Sequence, residues 1–314
     1  MDSKLFFQNC PATVIAIAGY GQRTTAAMLE QIFNTYFATT DLEDKVLTVA
    51  TNADPINHVL RDVDTLSDIS NIDIILYMLS DEQLTNLAVA LPYLIIGQTT
   101  DPTTQVAAIR ETNLSAKKTY YLGHDLNSYA LANRTMTADK FAFPDDLPFR
   151  LPSLQVIGEW QHECAAAAAL VAQDFQFAPE LIRQALANFA ELPHHLDFIR
   201  EVNDVKYYDD GVSVTPELAA ISIRTFKQPI IISAVEFPPH LVKRQILIPA
   251  PGQSLAVKRE QPMGVGAPLI DYADSLADAT SLASIFAVAG DTVLFVPAVA
   301  GLPIEEFVME VNKL

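Results

Sequence analysis

Cysteine and tryptophan are scarce in this chain. Its 314 residues include two cysteines, Cys10 and Cys164, and one tryptophan. Two cysteines so far apart provide neither a disulfide framework nor a zinc-ligand spacing, so we expect buried free thiols in a reducing compartment. The N-terminal stretch also lacks the cleavage-site pattern of a secretory signal, and we therefore expect a cytoplasmic protein.

Basic residues are few compared with acidic ones. Lysine and arginine number 20 against 38 aspartates and glutamates, which gives a formal net charge of −18. Such a charge repels phosphate backbones and anionic lipid headgroups, so nucleic acid and membrane surfaces are excluded as expected partners. Long apolar runs are absent as well, and Val14–Ala18 is too short to span a bilayer and is predicted to be a strand.

The bulk composition is that of a well-packed globular protein. Half of the residues are hydrophobic and only 18% are charged. A chain of this length exceeds what one hydrophobic core usually carries, so we expect two domains.

The first part of the chain alternates strand and helix patterns. A helical pattern with Met28, Leu29 and Ile32 follows the first strand and its glycine turn. Shorter strand-like pieces are predicted within 118–146, and Ser80 or Asp81 could cap a short helix. The longer predicted strands are 14–18, 45–51, 72–79 and 92–98, and the later predicted helices are 163–175 and 178–192.

The alternation restarts after Leu192, where "LPHH" interrupts the helical pattern. Thr215 and Pro216 are expected at the N-cap and first position of a helix, and Gly290 at the end of another. Strands are predicted at 204–210, 229–235, 244–250 and 291–298, and helices at 215–226, 274–290 and 303–314. The sequence therefore predicts an α/β fold with two tandem domains, 1–192 and 193–314.

A glycine turn follows the first strand in "VIAIAGYGQRTT". Gly19, Gly21, Arg23, Thr24 and Thr25 have the layout of a phosphate-binding loop, in which main-chain N–H groups, a cation and a hydroxyl hold the phosphates. Gln22 and Arg23 stand where such a loop has Gly-Lys. Two other interpretations remain open: a turn that binds no ligand, and an incomplete dinucleotide fingerprint with Asp41 as the ribose acid.

Four segments in this order resemble the Mur ligase family. They are the glycine turn, "IGEWQHECAAAAALVAQDF", "EVNDVKYYDDGVSVTPELAAI" and "AGDTVLFVPAVAGLPIEEF". Members of the family form an amide bond in cell-wall precursors through an ATP-dependent acyl phosphate. The resemblance implies a P-loop-like central domain with a mainly parallel sheet and a Rossmann-like C-terminal domain, and leaves no room for the family's first, UDP-binding domain.

The resemblance also assigns nucleotide contacts outside the glycine turn. Gln161 stands in the family's adenine motif, His194 in its Leu-Pro-His-Arg hinge motif, and Asp210 in its Asp-Ser-Lys motif. ATP is the cofactor implied for these residues. The hinge arginine is His195 here, and we expect Trp160 to serve packing rather than base stacking.

The catalytic positions of the family are altered. Met78 stands at the magnesium-binding glutamate and Pro102 at a metal-binding histidine, and the family's modified lysine has no equivalent in context. Val212 and Val214 replace the lysine and threonine that grip the incoming amino acid. We therefore expect no magnesium site and no catalytic residue.

Three functions fit this pattern. The first is a catalytically silent Mur-ligase homologue, which acts by binding or regulation and docks on a cell-wall enzyme. The second is an active ligase that uses Arg23 with Asp81 or Glu82 as relocated metal ligands. The third is a metal-independent nucleotide sensor built on the turn at Gly19 and Gly21.

Overall fold

The computed structural model describes residues 12–19, 21–40, 46–50, 72–79, 91–96, 116–121, 140–141, 147–190, 192–253 and 269–314. The chain divides into two compact units, Met1–Ala190 and Glu191–Leu314. The predicted domain boundary after Leu192 stays a prediction.

The first unit contains a six-stranded sheet in which every pairing is parallel. The strand order is β2-β3-β1-β4-β5-β6. Its members are β1 (Thr13–Ala18), β2 (Val46–Ala50), β3 (Ile74–Leu79), β4 (Leu91–Ile96), β5 (Ala116–Tyr121) and β6 (Lys140–Phe141). Strand β1 lies between β3 and β4, and its residues from Val14 onward are buried, as expected for a continuous apolar strand inside a parallel sheet.

Three helices of the first unit lie within the described residues: α1 (Gln22–Thr40), α2 (Glu159–Asp174) and α3 (Pro179–Ala187). Helix α1 packs on α2 and α3, and Phe33 meets Phe175 and Phe177 edge to face. Helix α2 starts earlier than predicted, and α3 ends earlier. The end of α3 is tightened by the Phe189 N–H, which donates to the Leu186 carbonyl instead of continuing the helix.

The second unit has a six-stranded sheet with the order β11-β10-β9-β12-β8-β7. Its strands are β7 (Asp197–Val202), β8 (Val205–Asp209), β9 (Ile230–Ser233), β10 (Arg244–Leu247), β11 (Leu269–Tyr272) and β12 (Thr292–Phe295). Every pairing is parallel except that of β7 with β8. The α/β class is thus confirmed, whereas the edge strands β7 and β11 were not predicted.

The helices of the second unit are α4 (Pro216–Arg224), α5 (Leu276–Phe286) and α6 (Ile304–Lys313). As predicted, Thr215 caps α4, and its hydroxyl accepts the Leu218 N–H at 3.4 Å. The prediction for Gly290 was wrong. Helix α5 ends at Phe286, and Gly290, with φ of 89°, lies in the turn before β12, where its N–H donates to the Asp204 carbonyl.

Side chains from β8, β9, β10, β12, α5 and α6 form one core in the second unit, which includes Tyr207, Ile232, Phe295 and Phe307. Among the residues that the structure describes, no helix combines the length and apolarity needed to cross a membrane.

Candidate functional site

The glycine turn lies at the carboxyl end of β1. The chain crosses from β3 on one side of β1 to β4 on the other, and ligands of open α/β sheets bind at such switch points. Gly19 and Gly21 both have φ of 82°, a conformation that favours glycine. The Gln22 N–H donates to the Gly19 carbonyl, and the Thr25 N–H to the Gly21 carbonyl at 2.8 Å. Helix α1 therefore begins directly at this turn, and the main chain has the form of an anion site.

The side chains of the turn fit a phosphate less well. Thr24 and Thr25 are only 2% and 0% exposed, whereas Arg23 is exposed. The Gln22 Oε1 atom is buried and has no hydrogen-bond partner among the residues that the structure describes. In this orientation of the amide a phosphate oxygen would not pair with Oε1, because both atoms are hydrogen-bond acceptors. The predicted contacts of these residues with a nucleotide remain predictions.

The start of α2 packs against the glycine turn. A Cβ atom at Gly21 would lie 2.7 Å from Cys164 Sγ and 3.8 Å from the ring of Trp160. The Cys164 thiol donates to the Gly21 carbonyl, with 3.7 Å between sulfur and oxygen. Gly21 is thus required both by its backbone conformation and by this close approach.

Cys164 is a buried free thiol, as expected. Burial raises the pKa of Cys164 to about 12, although hydrogen bonding with the Thr25 side chain opposes the shift. A thiol with this pKa is a poor nucleophile at neutral pH, so Cys164 acts here through packing. Cys10 lies outside the described residues.

Gln161 lies in the first turns of α2, and its side chain already has an internal hydrogen bond. It is 1% exposed, and its Nε2 donates to the Ile157 carbonyl at 2.8 Å. This bond joins α2 to the segment that precedes it. The predicted nucleotide contacts are divided between the units. The five residues of the glycine turn and Gln161 belong to the first unit, whereas His194 and Asp210 belong to the second.

His194 lies between two carboxylates of the second unit. Its Nδ1 is 2.5 Å from Asp209 Oδ2, and its Nε2 is 3.3 Å from Glu305 Oε1. Partial burial lowers the pKa of His194, but the hydrogen bond and charge of Asp209, together with Glu305, outweigh it and raise the pKa above its ordinary value. Asp209 is fully buried at the end of β8, and its Oδ1 accepts the Gly211 N–H.

Asp209 and Glu305 were missed as partners of His194. The adjacent acids in "YYDD" were visible in the sequence, but only the second was assigned. Glu305 had no signal beyond its place in the first turn of a predicted helix. Parallel strands bring the ends of β8 and β12 together, and α6 follows β12. The sheet thereby carries these distant residues to one edge.

Asp210 is 3% exposed and is tied to the chain near His194. Its Oδ1 accepts the Leu196 N–H at 3.3 Å. Burial raises the pKa of Asp210 to about 7, against the effect of hydrogen bonds from Ser213, Ser222 and Leu196. The carboxyl group is thus directed into the protein interior.

Close packing surrounds the residues after Asp210. A Cβ atom at Gly211 would lie 2.3 Å from Ile304 Cγ2, so any side chain there would displace the first residue of α6. The Ser213 carbonyl accepts the Ala298 N–H at 2.9 Å and joins this loop to the end of β12. Another missed residue is Gln245, whose buried amide pairs with both main-chain groups of Phe237 and fixes the loop after β9.

Met78, at the family's metal position, is buried near the end of β3. Over the part of the chain that the structure describes, no group of three His, Cys, Asp or Glu side chains is arranged to hold a metal ion. Residues 80–82 and 97–102 lie outside that part, and so do the side chains of Lys117 and Lys118.

A sheet switch point with a glycine turn, followed by a second, mainly parallel sheet with its own acidic edge, defines a tandem α/β protein. Solved structures agree. The MurF ligase from Thermotoga maritima, in complex with ADP, covers 99% of this chain and 82% of its own, with a TM-score of 0.68 and 15% identity. The MurC ligase from the same organism covers 99% of this chain and 78% of its own, with a TM-score of 0.63 and 13% identity.

Sequence relatives are D-glutamate ligases that act on a UDP-N-acetylmuramoyl substrate by name, and no family model matches the chain. The UDP-N-acetylmuramoylalanine–D-glutamate ligase of Thermoanaerobacter sp. (strain X514) is 30% identical over 164 residues, 48% of this chain and 36% of that protein. The ligase of the same name from Roseiflexus sp. (strain RS-1) is 39% identical over 69 residues, 22% of this chain and 15% of that protein. The chain thus matches about a third or less of the length of these relatives.

Sequence and structure converge on one family. The resemblance to Mur ligases is confirmed, and the curated relatives are the D-glutamate-adding ligases that the motif order favours. The shared structure is that of the central and C-terminal domains.

Proposed function

We propose that this chain is a catalytically silent Mur-ligase homologue that acts by binding or regulation, with a cell-wall enzyme as its protein partner. The observation that carries the proposal is the packing of Trp160 and Cys164 against Gly21. These two residues stand in the family's adenine motif, and here they stabilise the turn from within. The main chain retains the form of a phosphate loop, and the neighbouring side chains serve the fold.

Electrostatics support the same proposal. Arg23 is the one cation within residues 19–25, where the family has a lysine, and its planar guanidinium does not replace a compact ammonium group. Loss of one group that stabilises transition-state charge costs about 10²–10³ in rate. The lysine, the metal glutamate and the metal histidine are all substituted, so useful amide synthesis is not expected, and neither is a magnesium requirement.

A nucleotide sensor is the second candidate. The positive φ of Gly19 and Gly21 and the helix that begins at the turn favour anion binding through main-chain N–H groups. The MurF ligase compared above carries ADP, which supports ATP or ADP as the ligand to test. An active ligase that uses Arg23 with Asp81 or Glu82 is the third candidate, and it requires magnesium.

Calorimetric titration with ATP, with and without magnesium, separates these candidates. We expect no heat of binding at millimolar ATP, and no ATP-dependent amide synthesis. Metal-independent binding would favour the sensor. Magnesium-dependent binding that Arg23→Ala abolishes would revive the ligase and contradict the proposal.

A restored loop provides the matched test. The double variant Gln22→Gly/Arg23→Lys returns the Gly-Lys pair, so we expect it to gain ATP binding if only the side chains have been lost. Arg183→Lys, on the exposed face of α3, is the control for a conservative arginine change and should leave the titration unchanged. If the wild type, the double variant and Arg183→Lys all show no heat of ATP binding, the turn itself no longer accepts phosphate.

A further inference from the structure

The first turn of α6 is fastened to the rest of the second unit at two adjacent residues. Ile304 packs against Gly211, where a Cβ atom would meet Ile304 Cγ2 at 2.3 Å. Glu305 reaches the imidazole of His194, with 3.3 Å between Nε2 and Oε1. One contact is apolar, and the other depends on charge. Ile304 therefore covers Gly211 and Glu305 reaches His194, and we call residues 304–305 the α6 lid.

His194 itself is held firmly on its other side. Its Nδ1 is 2.5 Å from Oδ2 of the buried Asp209, and its main-chain carbonyl accepts the Val212 N–H. The backbone of His194 has φ of 63°, a conformation that costs energy for a non-glycine residue. The imidazole is thus anchored at Asp209, and its Nε2 side faces a solvent-exposed partner, because the Glu305 side chain is 78% exposed.

We infer that His194 and Glu305 form a pH-sensitive lock that holds the α6 lid over Gly211. When the imidazole is protonated, Nδ1–H donates to Asp209 and Nε2–H donates to Glu305. When it loses a proton, the hydrogen bond to the buried Asp209 keeps the remaining proton on Nδ1. The Nε2 lone pair then faces the Glu305 carboxylate, and attraction gives way to repulsion. The lid therefore loses its charged contact as the pH rises and opens more often, while Ile304 keeps its apolar contact with Gly211.

The acidic groups on the elements packed around the imidazole belong to β7, β8 and α6. Asp209 and Asp210 lie at the end of β8, Asp197 begins β7, and Glu305 and Glu306 lie in the first turn of α6. His195 follows in the chain. The two carboxylates that contact the ring, Asp209 and Glu305, favour the protonated imidazole and raise the pKa of His194, whereas buried Asp210, with a pKa of about 7, is largely neutral at acidic pH. The contacts all lie within the second unit, so the lock stands whether or not the first unit binds a nucleotide.

Histidine NMR on the full chain tests the lock. There are six histidines, and His194→Gln assigns the resonance of interest. In the wild type we expect His194 to titrate above the ordinary histidine range, and the amide shifts of residues 304–307 to follow the same curve. Glu305→Gln should lower the midpoint by roughly half a pH unit, because the interaction of an exposed pair is screened by solvent.

Glu306→Gln is the matched control. It removes the same charge from the same helix turn, so both variants lose equal helix-dipole stabilisation, and only Glu305→Gln should shift the His194 midpoint. Hydrogen exchange at residues 306–308, corrected for intrinsic rates, should be about two- to five-fold faster above the midpoint than below it in the wild type. His194→Gln should remove this dependence. The inference would be overturned by equal His194 midpoints in the two glutamate variants, or by hydrogen-exchange rates at residues 306–308 that do not follow the His194 titration.

Discussion

Asp210 shows how a single buried carboxyl group sets the pH dependence of stability. It is 3% exposed, and burial raises its pKa to about 7 in the folded chain, from the usual 3.8. Between these values the folded state holds a proton that the unfolded state has released. Stability contributed by the neutral carboxyl is therefore complete at low pH and is lost progressively as the pH rises to about 7.

Replacement of Asp210 by asparagine should remove this loss of stability at rising pH. The amide is nearly isosteric, its oxygen can still accept the Leu196 N–H, and its NH₂ group can donate to the hydroxyls of Ser213 and Ser222. Between pH 5 and pH 8 we expect Asp210→Asn to gain about 2–3 kcal/mol in unfolding free energy relative to the wild type. Urea unfolding followed by circular dichroism at the two pH values checks this. An unchanged difference between the proteins would mean that Asp210 is ionised in the fold.

Gly21 and Gly211 are both positions where only glycine fits. Each is approached so closely by another side chain, Cys164 Sγ in one case and Ile304 in the other, that any Cβ atom would collide. The sequence shows two glycines near motifs. Only the packing shows that the space beside each is occupied by the protein's own atoms, which is why the neighbouring residues stabilise the fold.

At the scale of elements, the Thr215 cap was predicted from the sequence and is confirmed, whereas the cap of α5 was not assigned in advance. Helix α5 begins after Ser275, whose hydroxyl accepts the Asp278 N–H at 3.1 Å and donates to the Asp278 carboxylate at 2.9 Å. This reciprocal arrangement resembles a capping box and satisfies an otherwise unpaired helix N–H.

Ser275→Ala should cost about 1 kcal/mol of unfolding free energy, because it removes the cap. Ser281→Ala is the matched control. It removes an exposed hydroxyl that only bonds back to the Ala277 carbonyl within the same helix, so its effect should stay within about 0.5 kcal/mol. Urea unfolding of both variants at one pH makes the comparison. Equal losses would show that the cap adds nothing beyond an ordinary serine.

Element ends were predicted less well than element types. The helix predicted to reach residue 192 stops at Ala187, and the helix predicted to reach Gly290 stops at Phe286. Apolar periodicity continues past both true ends, since Phe189 and Val288 still fit the pattern. The ends are fixed by hydrogen bonds, such as Phe189 N–H to Leu186, that the pattern of side chains does not specify.

At the scale of the whole molecule, each unit has its own buried centre. Phe33 is 1% exposed within the first, and Phe295 is fully buried within the second, against Phe307. The single tryptophan, Trp160, lies in the first unit, so its fluorescence reports on the unfolding of that unit. We therefore propose that the two units are separate folding domains.

A pair of matched core variants tests this proposal. Phe33→Ala and Phe295→Ala should each cost about 3–5 kcal/mol in their own unit. In denaturant, the first should move the Trp160 fluorescence transition, and the second should move only the circular dichroism change of the other unit. If both variants shift the fluorescence midpoint equally, the chain unfolds as one cooperative body and the domain proposal is wrong.

The sequence by itself determined the α/β class, the strand that opens the first sheet, the Thr215 cap and the resemblance to Mur ligases. These follow from local signals, because apolar runs, glycine turns and capping residues act on their own neighbours. The edge strand β7 was not predicted, because its charged and apolar residues are mixed without a clear period. Tertiary structure alone decided that Cys164 packs on Gly21, that Ile304 packs on Gly211 and that His194 meets Glu305. Those pairs are more than 90 residues apart in sequence (143, 93 and 111 positions), and only the packing of helices against sheets brings them together.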